Sequence, residues 1–187
     1  DLLAGCVAGV GLYLLESLSY HLASRIGIPE VPYTLGGQEM MSLRGTRALL
    51  DMIFSQPILS LFRALATLFL LFLLRVMLRR EWVAAVAFIV VLTVFMGLGS
   101  DSPITWIFYA LKYTVVCFLL LRFGLLANTA HYAVYFSLWF FPITPQLSAW
   151  YSGIGLAGVV LLLAFAAYAF HTSLGGRPMF EAKLLED

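Results

Sequence analysis

Charged side chains are scarce in this sequence. Only 11% of the 187 residues are Asp, Glu, Lys or Arg, whereas 62% are hydrophobic, and soluble domains carry about a quarter of charged residues. Between positions 123 and 176 there is no charged residue at all. This balance excludes an ordinary water-soluble domain and indicates an integral membrane protein, whose main partner is the lipid bilayer. The net charge of +1 also argues against a nucleic-acid partner, which requires a clustered basic surface.

Metal-binding and catalytic motifs are also lacking. The two cysteines, Cys6 and Cys117, lie in apolar runs without a CxxC spacing, and the three histidines form no HExxH motif. His21, His131 and His171 are predicted at different depths in the membrane. We therefore predict no metal ligands, no cofactor-binding residues and no catalytic residues in this chain.

The apolar run from Pro57 to Trp82 sets the predicted topology. About 20 apolar residues in a helix cross the hydrocarbon core of a bilayer, which is about 30 Å thick. The run ends in three arginines, Arg75, Arg79 and Arg80. Because cytoplasmic loops are enriched in Lys and Arg, this end is predicted to face the cytoplasm.

Five further apolar segments predict a bundle of about six transmembrane helices in one domain, residues 1–187. Arg122 follows the fourth span and serves as another anchor on the inner side. An even number of spans places both termini in the cytoplasm, so the predicted class is an all-α polytopic membrane bundle, N-in and C-in. The predicted spans are about Leu2 to Ala23, the stretch from Pro57 to Trp82, then Trp82 to Leu98, Ile104 to Leu121, about Leu125 to Phe141 and about Trp150 to Phe170.

One long connection outside the membrane is predicted between Arg25 and Gln56. Its first half contains several prolines and glycines, which predict turns. Its second half, Gln38 to Phe54, is rich in Met and Leu and is predicted to form a short helix at the membrane surface.

Small residues form one face of the first span. Gly5 and Gly9 have the Gly-xxx-Gly spacing that lets helix backbones approach closely in lipid, and Gly11 lies near them. Packing within the chain is the preferred interpretation, and a homodimer contact is the alternative.

An ionisable pair inside the membrane is the main candidate site. Lys112 and Glu16 are predicted about 12 Å and 10 Å below the outer surface, so the two opposite charges are expected to pair. Arg63, about 8 Å deep, competes for the same carboxylate. A structural ion pair is the preferred interpretation, and a polar pathway in a small permease or channel subunit is the alternative.

The polar residues argue against two kinds of intramembrane hydrolysis. Intramembrane metal-dependent hydrolysis needs acidic and histidine residues at one depth, and only Glu16 with His21 comes near this. Ser152 and His171 lie about 28 Å apart along one helix and cannot form a catalytic dyad there. Asn128 and His131 share a helix face and are expected to make hydrogen bonds between helices.

Three short segments carry a resemblance to a known family. They are the double arginine before Trp82, the entry SAWYS (148–152) and the closing FHTSLGGRPMF (170–180). With them, nearly the whole chain resembles the C-terminal membrane region of bacterial eukaryotic-like serine/threonine protein kinases.

This resemblance implies a cytosolic kinase domain attached in cis, before Asp1, and a location in the bacterial inner membrane. The chain has no Gly-rich ATP loop, HRD or DFG motif, so no catalytic residue can be assigned to it. ATP and Mg²⁺ are implied for the parent kinase only. The expected role of these 187 residues is membrane anchoring, with signal sensing as an extension of it.

Overall fold

The protein is all-α in the part that the structure describes. The computed structural model describes residues 1–25, 45–98, 103–141, 148–149 and 151–174, and it contains no strand within these ranges. The helices are α1 (Leu2–Arg25), α2 (Thr46–Leu78), α3 (Glu81–Gly97), α4 (Pro103–Phe140) and α5 (Ser152–Leu174).

Three of these helices, α1, α2 and α4, are long and apolar enough to cross a membrane. α3 is a shorter apolar helix of 17 residues. Their outward faces carry large apolar side chains, among them Phe62, Phe69 and Phe95, each about two-thirds exposed. Lipid is the solvent that such faces require. The predicted all-α class is confirmed, and the helices are those of a multi-pass membrane protein.

Gly124 divides α4 into two arms. Its backbone angles, φ 76° and ψ −164°, are not helical, and they fall in a region that residues with a side chain avoid. Lys112 Nζ lies 2.7 Å from the Tyr135 hydroxyl although the residues are 23 apart. A straight helix would separate them by about 34 Å. α4 is therefore a helical hairpin, with arms α4a (residues 103–123) and α4b (125–140).

The second arm, α4b, lies at the centre of the helices. Nine of its residues from 127 to 140 are buried and few of its side chains reach the surface. The hydrophobic core forms between both arms of α4 and helices α1, α2 and α3, where Phe88 of α3 is fully buried. Its members are Leu12, Leu71, Phe88, Tyr113, Val116, Cys117, Leu120 and Tyr135.

Two glycines dock α1 onto α4b. A Cβ atom at Gly9 would lie 2.8 Å from the Cβ of Val134, and one at Gly5 would collide with the Ala127 carbonyl. Only glycine permits this approach, so the small face packs within the chain. Gly11 has no neighbour of this kind within 4 Å. Because Gly5 meets residue 127 and Gly9 meets residue 134, α1 runs parallel to α4b.

α2 packs against α4b in the opposite direction. Thr67 bonds to Asn128, and the Arg63 guanidinium lies 3.8 Å from the centre of the Phe136 ring. Residue numbers therefore increase along α2 while those of the contacting residues on α4b decrease towards Gly124. The start of α1, the α2–α3 turn and the Gly124 turn consequently lie at one end of the bundle. We call this the arginine end, after Arg75, Arg79, Arg80 and Arg122.

The start of α2 differs from the prediction. Residues 46–54 belong to α2 and continue through Pro57 to Leu78, so within the described residues there is no separate surface helix at 46–54. The buried residues of α2 form one stripe that continues on both sides of Pro57, so both sides pack against the same neighbours. Pro57 removes only one backbone hydrogen bond, and the helix continues through it. The stripe is Met52, Gln56, Ser60, Ala64, Thr67 and Leu71.

Other predicted features lie outside the described residues. These are most of the connection between the first two spans, the turn at 99–102, the Pro-containing turn at 142–147 and the tail from 175 onwards.

Candidate functional site

A charged cluster joins α1 to both arms of α4. Lys112 Nζ on α4a lies 2.7 Å from Glu16 Oε2 on α1 and 2.7 Å from the Tyr135 hydroxyl on α4b. The Tyr135 hydroxyl also donates a hydrogen bond to Glu16 Oε2. The Lys112 and Glu16 side chains are only 13% and 10% exposed. Three helical segments thus meet at one nearly buried ion pair.

The buried stripe of α1 explains the position of Glu16. Gly5, Gly9, Leu12 and Glu16 follow one another at steps of four, three and four residues, so they share one helix face. Once the two glycines pack on α4b, Glu16 must point towards the same arm. The Ser19 hydroxyl donates a 2.7 Å hydrogen bond to the Glu16 backbone carbonyl, which fixes this turn of α1 locally.

The α4 hairpin explains the meeting of Lys112 with Tyr135. These residues lie twelve and eleven positions from Gly124, so each is about 17 Å from the turn along its own arm. Equal arms bring them to the same level. If the turn lies at one membrane surface, this level is close to the middle of a hydrocarbon core about 30 Å thick.

Aromatic rings surround the ammonium group. Lys112 Nζ lies 4.1 Å from the centre of the Tyr135 ring and 5.9 Å from that of Tyr109. Trp139 stacks on Tyr135 and makes an edge contact with Tyr13. Such rings favour a cation electrostatically while they exclude water. The cluster is therefore stabilised by one carboxylate, one hydroxyl and ring faces.

A small pocket adjoins the ion pair between α1 and α4a. It has room for about one water molecule. On α1 its lining runs from Leu12 to Ser19, about one helical turn to either side of Glu16, so the pocket lies directly beside the pair. Its lining consists of Leu12, Leu15, Glu16, Ser19, Phe108, Tyr109 and Lys112.

A second polar group lies on the other side of α4b. Asn128 Nδ2 donates a 3.0 Å hydrogen bond to Thr67 Oγ1, and Asn128 Oδ1 lies 3.3 Å from His131 Nδ1. Asn128 and His131 are fully buried. Asn128 thus joins two helices as expected, whereas the described bond of His131 stays within its own helix.

Arg63 does not join the Glu16 cluster in the described contacts. Its guanidinium stacks on Phe136, because α2 and α1 pack on different sides of α4b. The predicted depth of Arg63 carried no information about the side on which α2 packs. Arg63 was predicted to compete for Glu16 because the two residues have similar depths. The packing of α2 places Arg63 against Phe136 instead.

The remaining predicted residues are placed as follows. Arg75 pairs with Glu81 across the α2–α3 turn, while Arg79, Arg80 and Arg122 are exposed at the arginine end. Arg79 adopts a left-handed conformation, φ 54°, that ends α2. His21 is exposed on α1, and the side chain of His171 is outside the described set. The described residues contain no group of three or more His, Cys, Asp or Glu side chains suited to a metal ion.

Tyr135 is the member of the site that sequence reasoning missed. The sequence contained one indication of its role. Tyr135 follows Gly124 by eleven residues, and Lys112 precedes Gly124 by twelve. A hairpin at Gly124 would have placed the two residues together. Thr67 was missed for a similar reason, since its partner depends on which helices are neighbours.

Comparisons with known proteins found no match: no protein family, no curated protein and no solved structure resembles the chain closely enough. The cluster contains an acid, a base and a hydroxyl in mutual hydrogen-bond contact, and this set can hold an ion pair or exchange a proton.

Proposed function

We propose that the chain is a membrane-anchoring module of about six transmembrane helices, with both termini in the cytoplasm, that tethers a serine/threonine kinase domain to the bacterial inner membrane. The observation that carries the anchoring role is the set of long apolar helices packed around α4b. The kinase attachment rests on the resemblance of the segments at 79–82, 148–152 and 170–180.

The common position of the arginines supports the orientation. Arg75, Arg79, Arg80 and Arg122 lie at the end of the bundle where α1 begins. Cationic residues at membrane boundaries favour the cytoplasmic side. A domain joined before Asp1 would then lie in the cytoplasm, where ATP is available to a kinase. α3, with 17 residues, is at the lower limit of a span, and α5 has 23.

The tether is tested on the full-length protein, with and without residues 1–187, by cell fractionation and by an autophosphorylation assay. We expect the full-length protein in the membrane fraction and the shortened protein in the soluble fraction, with phosphoryl transfer in both. A matched control replaces residues 1–187 by one unrelated transmembrane helix, which restores anchoring only. Absence of phosphoryl transfer in the full-length protein would reject the kinase attachment.

A small permease or channel subunit is the second candidate. The nearly buried pair of Glu16 and Lys112 favours it, because ionisable residues inside a membrane commonly mark a pathway for ions or solutes. Lys112→Met should then abolish solute flux into proteoliposomes without unfolding the protein. Equal flux in wild type, Lys112→Met and empty liposomes would reject this candidate.

A further inference from the structure

The turn between α2 and α3 carries more positive charge than its own acid balances. Arg75 pairs with Glu81, whereas Arg79 and Arg80 are exposed and form no ion pair with any described residue. Three arginines and one glutamate give this turn a net charge of +2. The other charged side chains described at the arginine end are opposite in sign, namely Arg122 and Asp1. The excess charge at this end is therefore that of the turn.

Arg79 occupies a backbone position that favours glycine. Its φ of 54° ends α2 in the left-handed region, where helices usually place glycine or asparagine because a Cβ atom is crowded there. No other described residue with a side chain has a positive φ. Arginine at this position costs conformational free energy that glycine would not, and contact of its side chain with an anion would offset that cost.

Exposed apolar side chains flank the two unpaired arginines. Val76 and Met77 precede Arg79 and Arg80, Trp82 follows them, and all three apolar side chains are more than half exposed. Such side chains face acyl chains, and tryptophan is enriched where acyl chains meet headgroups. The guanidinium groups beside them therefore lie near the level of the lipid phosphates. A soluble anion could reach these groups but could not cover the apolar side chains.

We propose that Arg79 and Arg80 bind the phosphate of one anionic phospholipid, whose acyl chains lie against Val76 and Met77. A guanidinium group presents parallel N–H donors that match two phosphate oxygens. The net charge of +2 selects a lipid with net negative charge, such as phosphatidylglycerol. Phosphatidylcholine carries the same phosphate, but its choline brings a second cation to the turn. The α2–α3 turn is thus a lipid-binding site in addition to a marker of orientation.

Native mass spectrometry of the purified chain in a neutral detergent tests this site. The protein is titrated with phosphatidylglycerol and with phosphatidylcholine of the same acyl chains. We expect wild type to bind the first phosphatidylglycerol at least about tenfold more tightly than phosphatidylcholine. The double variant Arg79→Gln/Arg80→Gln should bind phosphatidylglycerol about 30-fold more weakly than wild type, because each cation near an anionic lipid contributes roughly fivefold.

Arg47→Gln is the matched control, because Arg47 is also exposed on α2 but lies at the opposite end of the helix. Its affinity for phosphatidylglycerol should equal that of wild type. Equal affinity of wild type for the two lipids, or equal affinity of wild type and the double variant for phosphatidylglycerol, would overturn the proposal. Displacement of the bound lipid by inorganic phosphate would assign the turn to a soluble anion and would also overturn it.

A glycine variant separates lipid binding from folding. Arg79→Gly removes the cation and relieves the backbone, so without anionic lipid it should unfold at the same temperature as wild type or higher. Because a ligand of the folded state raises the unfolding temperature, phosphatidylglycerol should stabilise wild type and Arg122→Gln more than Arg79→Gly. Equal stabilisation of Arg79→Gly and Arg122→Gln would indicate diffuse attraction and overturn the site. These measurements are independent of any kinase attached to the chain.

Discussion

Glu16 is tolerated in an apolar environment because its charge is balanced at contact distance. Lys112 and Tyr135 both direct hydrogen atoms at the same carboxylate oxygen. A buried ion gains enough from such partners to offset much of its desolvation, whereas an unpartnered one does not. The stability of the pair should therefore depend on both charges together rather than on either one alone.

Single and double replacements of the pair test this dependence. We expect Glu16→Leu and Lys112→Met each to lower the free energy of unfolding by about 3–5 kcal/mol, because each leaves one buried charge unpaired. The double variant should lie close to wild type. Equilibrium unfolding in mixed detergent micelles measures all four proteins. A double variant that loses the sum of the two single effects would contradict this account.

Gly9 and Gly11 lie on the same helix but differ in their surroundings. Gly9→Ala adds a methyl group 2.8 Å from the Cβ of Val134 and 2.9 Å from the His131 carbonyl oxygen, so α1 must shift away from α4b. Overpacking of this kind costs about 1–3 kcal/mol. Gly11→Ala meets no atom within 4 Å and should stabilise the helix by up to about 1 kcal/mol. Thermal unfolding of both variants in detergent measures the difference, and equal shifts would contradict the docking role of Gly9.

Among the elements, the α4 hairpin depends on a single residue. Gly124 adopts φ 76° and ψ −164°, a combination that costs of order 1–3 kcal/mol when a side chain is present. There is open space around the position, with no atom within 4 Å of an added Cβ. Any effect of Gly124→Ala therefore reports on backbone conformation and not on a steric clash.

We expect Gly124→Ala to be destabilised by about 1–3 kcal/mol and to weaken the contact between the two arms. Crosslinking by a flexible bifunctional maleimide between cysteines at 115 and 133, partly exposed positions that lie nine residues from Gly124 on either side, measures that contact in a background where Cys6 and Cys117 are replaced by Ala. Gly153→Ala is the matched control, because it also has no neighbour within 4 Å but lies outside the hairpin. Unchanged stability and crosslinking in Gly124→Ala would show that the turn does not require glycine.

The positions of the helices were largely predictable, whereas their neighbours were not. Apolar runs and turn residues predict how deep each residue lies in the membrane, which is why Glu16 and Lys112 were assigned to one level. Depth does not say which faces touch, so Arg63 remained a competitor and Tyr135 was overlooked. The predicted start of α2 was wrong because Pro57 suggested the beginning of a helix. The residues on both sides of Pro57 form one buried stripe, and this stripe cannot be recognised without knowing that α2 packs against α4b.

For the molecule as a whole, the arginine end is the basis of the proposed orientation in the membrane. We expect Arg79→Cys to react with a membrane-impermeant maleimide only in inside-out vesicles, and Leu98→Cys, at the other end of α3, only in intact spheroplasts. Both variants are made in the background that lacks Cys6 and Cys117. The expectation follows from the positive-inside rule applied to Arg75, Arg79 and Arg80. Labelling of position 79 in spheroplasts would invert the proposed orientation.

The separation of Glu16 from Lys112 along the chain has a consequence for biogenesis. The two residues are 96 positions apart, and at about 5–20 residues per second the ribosome needs about 5–20 s to reach the second after the first. During that interval α1 has left the exit tunnel with an acidic side chain and no base to meet it. The nascent chain therefore carries Glu16 without its basic partner until α4 has been synthesised, so the contact between α1 and the α4 hairpin can form only late in biogenesis.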